Sequence, residues 1–368
     1  MKFMNIPLAA LTCTAVLGSS NASADLTVTS GNATLKAFGL IDTGLVAVTH
    51  TGDGHQIKTD TTDGILSASG LGLGGSYDFG SGFKAIVNLQ ASFSPSRLQI
   101  PTNHELFSRN AYAGLESPWG TFTLGKQWDF NDDWFFGTVF KGGYNTGAIF
   151  KFSEFDAISE LYRNTVKYTS PEISGLQVGA MYGLNDYRKL EQAGSMYSLG
   201  VKYTSGPLMV GLTHNHEEDT GVDENYTGNR YLLTTLGSSY NWGWINGRLG
   251  LTYADISGPA KLQSIGAMSA RKAYAVEVGV DYPFTSAFTG SANVIYRDNT
   301  TLSNQTLMYR LSGEYKISKP LSLTANLAYL HNQGGATESF VNTHADFVGG
   351  GYPNQNQMST AVGVRYRF

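Results

Sequence analysis

The closing stretch of the chain leaves little choice of local structure. Met358, Thr360, Val362, Val364, Tyr366 and Phe368 alternate with Ser359, Ala361, Gly363, Arg365 and Arg367. Successive residues of an extended strand point to opposite faces, so this segment is a strand with one apolar and one polar side. The same parity recurs at Leu321, Leu323, Ala325, Leu327 and Tyr329 against Ser322, Thr324 and Asn326. It recurs again at Leu307, Tyr309, Leu311, Tyr315 and Ile317 against Arg310, Ser312, Glu314 and Lys316.

Equivalent strands fit 83–93, 176–184, 197–203, 208–216, 249–253, 274–282 and 288–296, with less regular candidates at 33–49, 65–79, 107–116, 120–128, 162–169 and 230–240. With the three closing strands that makes sixteen. The connections between them alternate in length. Short turns fall at 80–82, 117–119, 171–174, 205–206, 241–246, 283–286 and 318–320, and long ones near 50–64, 94–106, 129–160, 185–195, 217–229, 258–270, 297–306 and 331–357. Short and long connections at opposite ends describe an even-stranded up-and-down barrel with one plain and one elaborate rim.

A soluble antiparallel barrel or sandwich also alternates, with its apolar side turned into a core. The small, polar, Gly-rich second face, the tyrosines at strand ends and sixteen strands without a linker argue instead for a transmembrane barrel with a polar lumen, since a barrel this wide cannot fill its interior with apolar side chains. The 44 glycines and 21 tyrosines suit that reading, and no stretch after the start approaches a helical span. Trp119, Trp242 and Trp244 sit in short turns, where amphipathic rings mark a membrane interface, here the periplasmic one.

The first residues read as an export signal: Lys2, an apolar run Ile6–Leu17, and the small-residue site Ala22-Ser23-Ala24. Residues 1–24 are then removed, and 25–368 form one barrel domain. Cys13, the chain's single cysteine, goes with the leader, so no disulfide is expected. The full chain carries a net charge of −4, which argues against nucleic acid as a partner.

The motifs Phe107-Ser108-Arg109-Asn110-Ala111-Tyr112-Ala113-Gly114-Leu115 and Trp119-Gly120-Thr121-Phe122-Thr123-Leu124-Gly125-Lys126-Gln127 resemble the paired-strand signature of Gram-negative general porins, especially the beta-proteobacterial and neisserial type. Gly39-Leu40-Ile41-Asp42-Thr43-Gly44, Gly82-Phe83-Lys84-Ala85, Arg163 to Pro171 and the closing Val364-Arg365-Tyr366-Arg367-Phe368 extend the likeness over essentially the whole chain after the leader. The resemblance implies an all-β, sixteen-stranded antiparallel transmembrane barrel in the bacterial outer membrane, usually a homotrimer set in lipid and lipopolysaccharide. Its third long loop folds inward to narrow a channel for passive diffusion of small hydrophilic solutes and ions. It also implies that Phe368 and Tyr366 form the signal read by the outer-membrane assembly machinery.

The third long connection, 129–160, carries six carboxylates: Asp129, Asp132, Asp133, Glu154, Asp156 and Glu160. If it enters the lumen, these acids line the constriction, facing wall cations at Arg109, where the family likeness places one, and at Lys126, Arg163 and Lys167. Arg163 and Lys167 share the inward face by alternation, with Tyr162, Val166 and Tyr168 on the other. Opposed charges across a narrow aqueous gap set a transverse field that low-dielectric walls focus. Phe130, Trp134, Phe135, Phe136 and Phe140 are expected to anchor the loop, because aromatics in a polar tube need apolar partners. Gly70 and Gly74 stand where relatives commonly carry arginines, which leaves the inner face bare and predicts a wider or more cation-tolerant pore.

Other functions leave weaker traces. His214-Asn215-His216 followed by Glu217-Glu218-Asp219 contains metal-ligand types. The two histidines continue the outward face of Leu208, Val210 and Leu212, so no metal or cofactor is expected. No Ser, His and acid grouping has a recognisable catalytic motif. A substrate-specific channel calls for a ladder of one charge sign or an aromatic slide, whereas the inward residues mix Ser, Thr, Asn, Gly, Lys and Glu. Outer-loop composition neither supports nor excludes an adhesin role.

Overall fold

The computed structural model describes residues 26–51, 56–95, 106–141, 152, 155, 161–184, 194–219, 229–257, 271–340 and 352–368. The strands are β1 (Leu26–Ser30), β2 (Ala33–Thr51), β3 (Gln56–Thr62), β4 (Gly70–Gly80), β5 (Phe83–Ser92), β6 (Ala111–Ser117), β7 (Gly120–Trp128), β8 (Leu161–Thr169) and β9 (Leu176–Gly183). Beyond them run β10 (Gly194–Ser205), β11 (Leu208–Asp219), β12 (Asn229–Asn241), β13 (Asn246–Ser257), β14 (Arg271–Pro283), β15 (Phe288–Asn299), β16 (Asn304–Lys316), β17 (Leu321–Gln333) and β18 (Gln357–Arg367). One short helix, α1 (Phe130–Phe135), follows β7.

Each strand pairs antiparallel with its chain neighbour, and β18 closes onto β2 in the register Gly363↔Gly44. Eighteen strands make a barrel of sixteen staves for two reasons. β3 and β4 pair with the upper and lower halves of the same edge of β2, so they form one interrupted stave. β1 pairs only with Ala33–Ala37 of β2, just past the point where Phe368 and Gly39 exchange backbone hydrogen bonds of 2.6 and 3.0 Å. The expected strand at 65–79 is thus broken, and the expected connection at 50–64 is largely strand. The connection near 297–306 shrinks to a tight turn because β15 and β16 stay paired out to Asn299 and Asn304.

The faces decide the environment. Along β17 the apolar residues point out, with Leu323 46% and Leu327 43% exposed, while Ser322, Thr324 and Asn326 point in and are buried. Leu311, Val362, Leu124 and many others continue the apolar outer band. A soluble barrel would reverse this arrangement; an outward apolar band needs lipid. Trp119, Trp242 and Trp244 are exposed at the short-turn rim, where Trp242 packs on Tyr240 with ring centroids 4.8 Å apart.

One departure from simple alternation matters below. Between the pairs Gly125↔Thr165 and Gln127↔Tyr162, Lys126 alone stands opposite both Arg163 and Asn164. Asn164 takes the extra turn with φ +52°, a β-bulge. The bulge shifts parity by one residue, so Tyr162, and not Arg163, shares the inward face of Thr165 and Lys167. Tyr162 is fully buried there and donates its hydroxyl to Glu217.

Candidate functional site

After β7 the chain turns onto the inner wall. Asp129 caps α1: its Oδ1 accepts from the Asp132 backbone N–H at 2.8 Å, and its Oδ2 accepts from Asn215 Nδ2 at 2.6 Å. The Phe130 N–H donates to Ser198 Oγ at 3.2 Å. Asp129 is 0% exposed, so it serves as a capping and anchoring residue and does not face solute as the sequence reading had it. Burial pushes its carboxyl well above the ordinary range, reinforced by the nearby Asp132 charge. Lys167 donates to the Trp128 carbonyl at 2.7 Å, pairs with Asp133 and lies 4.4 Å over the Phe130 ring. It holds the loop's base.

The aromatic anchors fit a track of glycines. Where a side chain would start at Gly179 of β9 lies the Phe130 ring; at Gly200 of β10 lies Trp134. Phe135 fills the space over Gly211 and Gly237 of β11 and β12, and Phe140 that over Gly250 of β13. Gly179 pairs with Gly200, and Gly211 with Gly237 and Gly237 with Gly250, while between β10 and β11 the row steps by two residues, so bare backbone forms a stepped track across five staves. Lys202 Nζ covers the outer side of Trp134 at 5.0 Å. The expected anchoring role of the aromatics follows from burial: Phe130, Trp134, Phe135 and Phe140 are all buried, while Phe136 stays half-buried.

Two arginines under the loop complete the attachment. Arg248 donates to the Val139 carbonyl at 2.7 Å, and Arg310 donates to the Lys141 carbonyl. Both guanidinium groups are fully buried around Glu277, which lies 3.3 Å from Arg310 and 4.0 Å from Arg248; the Glu277 carboxylate also accepts from Asn293 Nδ2 at 2.7 Å. Asp281 receives Arg248 at 3.1 Å and Lys141 at 3.2 Å. The parity of β13 and β16 puts these side chains inward, yet sequence alone does not show that they converge.

The remaining predicted residues are dispersed. Arg109 lies 5.7 Å from the Trp128 ring, and its Cδ stands 3.5 Å from where a side chain would begin at Gly70. The inner face of β4 is not bare, because Phe38 of β2 covers Gly72 and Gly74 beside Lys36. Arg163 and Lys126 sit at the bulge, away from the ion pair at Lys167. Glu154, Asp156 and Glu160 lie outside the described residues.

Between the loop and the far wall remains a cavity of about 350 Å³. Phe136, Gly137, Phe140 and Lys141 bound it on the loop side, and Glu314, Lys316, Arg365 and Arg367 on the wall side. Arg367 meets Glu314 at 3.2 Å and Arg365 meets it at 3.8 Å. The barrel therefore encloses a cavity lined by both charged and apolar side chains, while its own outer surface carries an apolar band suited to lipid.

The family model described as Gram-negative porin matches residues 8–335. The chain belongs to the Gram-negative porin family. This porin is 27% identical to outer membrane porin protein 32 of Delftia acidovorans over 99% of its own length and all of that protein, and 26% identical to the major outer membrane protein P.IB of Neisseria meningitidis serogroup B over 88% of its length and 89% of that protein. An outer membrane porin protein of Bordetella pertussis matches at 28% identity over about half of each chain, 52% and 53%. Among solved structures, the anion-selective porin from Comamonas acidovorans superposes with a TM-score of 0.76 at 21% identity, covering 91% of this porin and all of that chain. A trimer form of OmpT from Vibrio cholerae gives 0.65 at 16%. The porin is a bacterial outer-membrane channel protein, and its fold and family point away from catalysis.

The histidine motif has ordinary partners. His214 is 2.8 Å from Thr234 Oγ1, and His216 stacks on Tyr197 and meets Glu218 at 3.2 Å. Among the described residues no group of three His, Cys, Asp or Glu side chains could hold a metal.

The buried Asp129 gives a pH test. Its folded-state pKa is raised, so the seated loop binds a proton more readily than the released one, and seating is strongest in acid and weakens as pH rises through that pKa. Asp129→Asn keeps an acceptor for the cap and removes the titration. Single-channel open-level noise should rise from acid to neutral pH in the parent protein and stay flat in the variant.

Proposed function

We propose that this porin passes small hydrophilic solutes and ions by passive diffusion, as a homotrimer, through the gap between residues 136–141 and the wall carrying Glu314, Arg365 and Arg367. What supports this reading is a cavity bordered by charged side chains inside a barrel whose inner face is polar and whose apolar surface faces outward. Catalysis has little support in comparison: buried acids here are engaged by arginines and by the helix cap, and the paired histidines face away from the lumen. Swelling of proteoliposomes in sugars of increasing size tests the channel directly. Permeation that falls steadily with solute size is expected, whereas a single accepted sugar would favour a substrate-specific channel.

The charges around the gap favour the opposite of the cation tolerance expected from sequence. Among the described residues it is bordered by Lys141, Lys316, Arg365 and Arg367 against Glu314, while Asp133 is bound to Lys167 and Asp129 is buried. An anion preference follows from this excess of basic groups, reduced by the Lys141–Asp281, Arg365–Asp42 and Arg367–Glu314 pairs, because a low-dielectric passage concentrates the counter-ion of its net charge. In a salt gradient the reversal potential should take the anion-selective sign, and the opposite sign would reject this charge assignment.

Residues 1–24 act as the export signal in this reading, so N-terminal sequencing of outer-membrane protein should begin at Asp25. At the other end Tyr366 and Phe368, stacked at 5.9 Å, are offered to the assembly machinery. The outward apolar band meets lipid and lipopolysaccharide.

A further inference from the structure

The interruption between β3 and β4 is built as carefully as the loop it faces. Residues 63–69 leave the barrel wall and fold inward, and one carboxylate organises them. Asp42 Oδ1 accepts from the Ile65 N–H at 2.9 Å, and its Oδ2 accepts from the Leu66 and Ser67 N–H groups at 3.1 and 3.0 Å. Ser69 Oγ donates to the Asp42 carbonyl at 3.0 Å and accepts from the Asp42 N–H at 2.9 Å. Three convergent backbone donors on one carboxylate define a single turn conformation. Gly64 makes it possible, with φ +154° and the Ser67 carbonyl standing where a side chain would begin.

The turn is seated by the same device as the large loop. Ile65, 0% exposed, lies over Gly44 of β2 and Gly363 of β18, which are register partners. Arg365 adds a second hold: it donates to Ser67 Oγ at 2.6 Å and stands 3.7 Å from Asp42. Seated in this way, Leu66 and Ser67 border the same cavity as Phe136, Gly137 and Phe140.

We propose that the turn at 63–69 is a second constriction element facing the 129–141 segment, that Leu66 and Ser67 set the pore's size limit from this side, and that Asp42 is the positioning residue that holds them in the lumen. The gap thus has two inserted walls, each seated on glycines. This rests on the channel reading above. A turn that merely relieved strain in the sheet would need neither three converged N–H bonds nor an arginine bridging it to the opposite end of the chain.

Planar-bilayer recording tests it, with the parent protein as the control for the channel reading. Parent protein that fails to conduct removes the channel reading itself; parent protein that conducts isolates the present question. Leu66→Trp, which leaves Asp42 and its bonds intact, should lower unit conductance about twofold and reduce the sugar size limit. Ser67→Cys should react with a bulky anionic methanethiosulfonate reagent added to open channels, and each reaction should lower the current. Asp42→Asn, which can no longer accept all three N–H bonds, should broaden the conductance distribution toward larger steps in channels that assemble. Unit conductance of Leu66→Trp equal to the parent, together with a Ser67→Cys thiol that either fails to react or reacts without current change, would overturn the proposal.

Discussion

Leucine at Gly237 evicts Phe135 from the inner wall and raises the unit conductance of the channel. The ring of Phe135 lies 2.6 Å from where a Cβ at Gly237 would stand and 3.0 Å from one at Gly211, so no free space remains for a side chain. Overpacking of this kind costs about 1–3 kcal/mol when surroundings can shift. Here the least constrained partner is the loop, because the β12 backbone is fixed by pairing on both edges. Barrel closure and the outward band are untouched, so heat stability of the assembled protein should change little while channel steps grow and fluctuate. Gly200→Leu should act likewise through Trp134. Conductance steps indistinguishable from the parent in both variants would contradict the glycine track as the seat of the loop.

Arg310→Met should destabilise the folded protein by on the order of 3 kcal/mol, because Glu277 keeps its burial and loses its nearer cation. The expected reading is a lower heat-denaturation midpoint and a reduced refolding yield in detergent. The double variant Arg310→Met with Glu277→Gln should recover a large part of that loss, since the unpaired charge is gone. The lost donation to the Lys141 carbonyl persists in both, so current fluctuations should remain raised even where stability returns. A single variant as stable as the parent would show that Glu277 finds sufficient compensation in Arg248 and Asn293 alone.

The two predictions draw on features that sequence shows unequally. The aromatics between 130 and 140 announce themselves by composition, and their role as anchors was legible because a polar tube leaves such rings nowhere else to go. The glycines beneath them look like ordinary strand glycines, one per stave. Their meaning appears only when the register sets Gly179 beside Gly200, and Gly211, Gly237 and Gly250 side by side one step of two residues along, so that together they form a track across the sheet. Similarly, alternation assigns Arg310, Glu314 and Arg365 to the polar face of their strands, yet nothing local distinguishes a cation buried under the loop from one bordering the gap.

Some readings failed for identifiable reasons. Counting residues by two placed Arg163 beside Lys167, and one extra residue at Asn164 undid it for everything upstream of the bulge. Asp129 looked like the first of a row of lumen acids but occupies the cap position of α1, where a helix start and Asn215 both claim its oxygens. Gly70 and Gly74 suggested a bare wall, and Phe38 from the adjacent strand fills it.

The sequence by itself determined the strand parity away from the bulge at Asn164, the number of staves, the plain and elaborate rims and the membrane environment. Each follows from a period of two or from connection length, and these are local properties that neighbouring residues fix without reference to distant ones. Only the tertiary structure decided which charges meet, which glycines form a slot and where the chain folds into the lumen at 63–69 and 129–141. Those depend on stagger between strands far apart in the chain, and a shift of one residue anywhere in the ladder would bring a different set of side chains together.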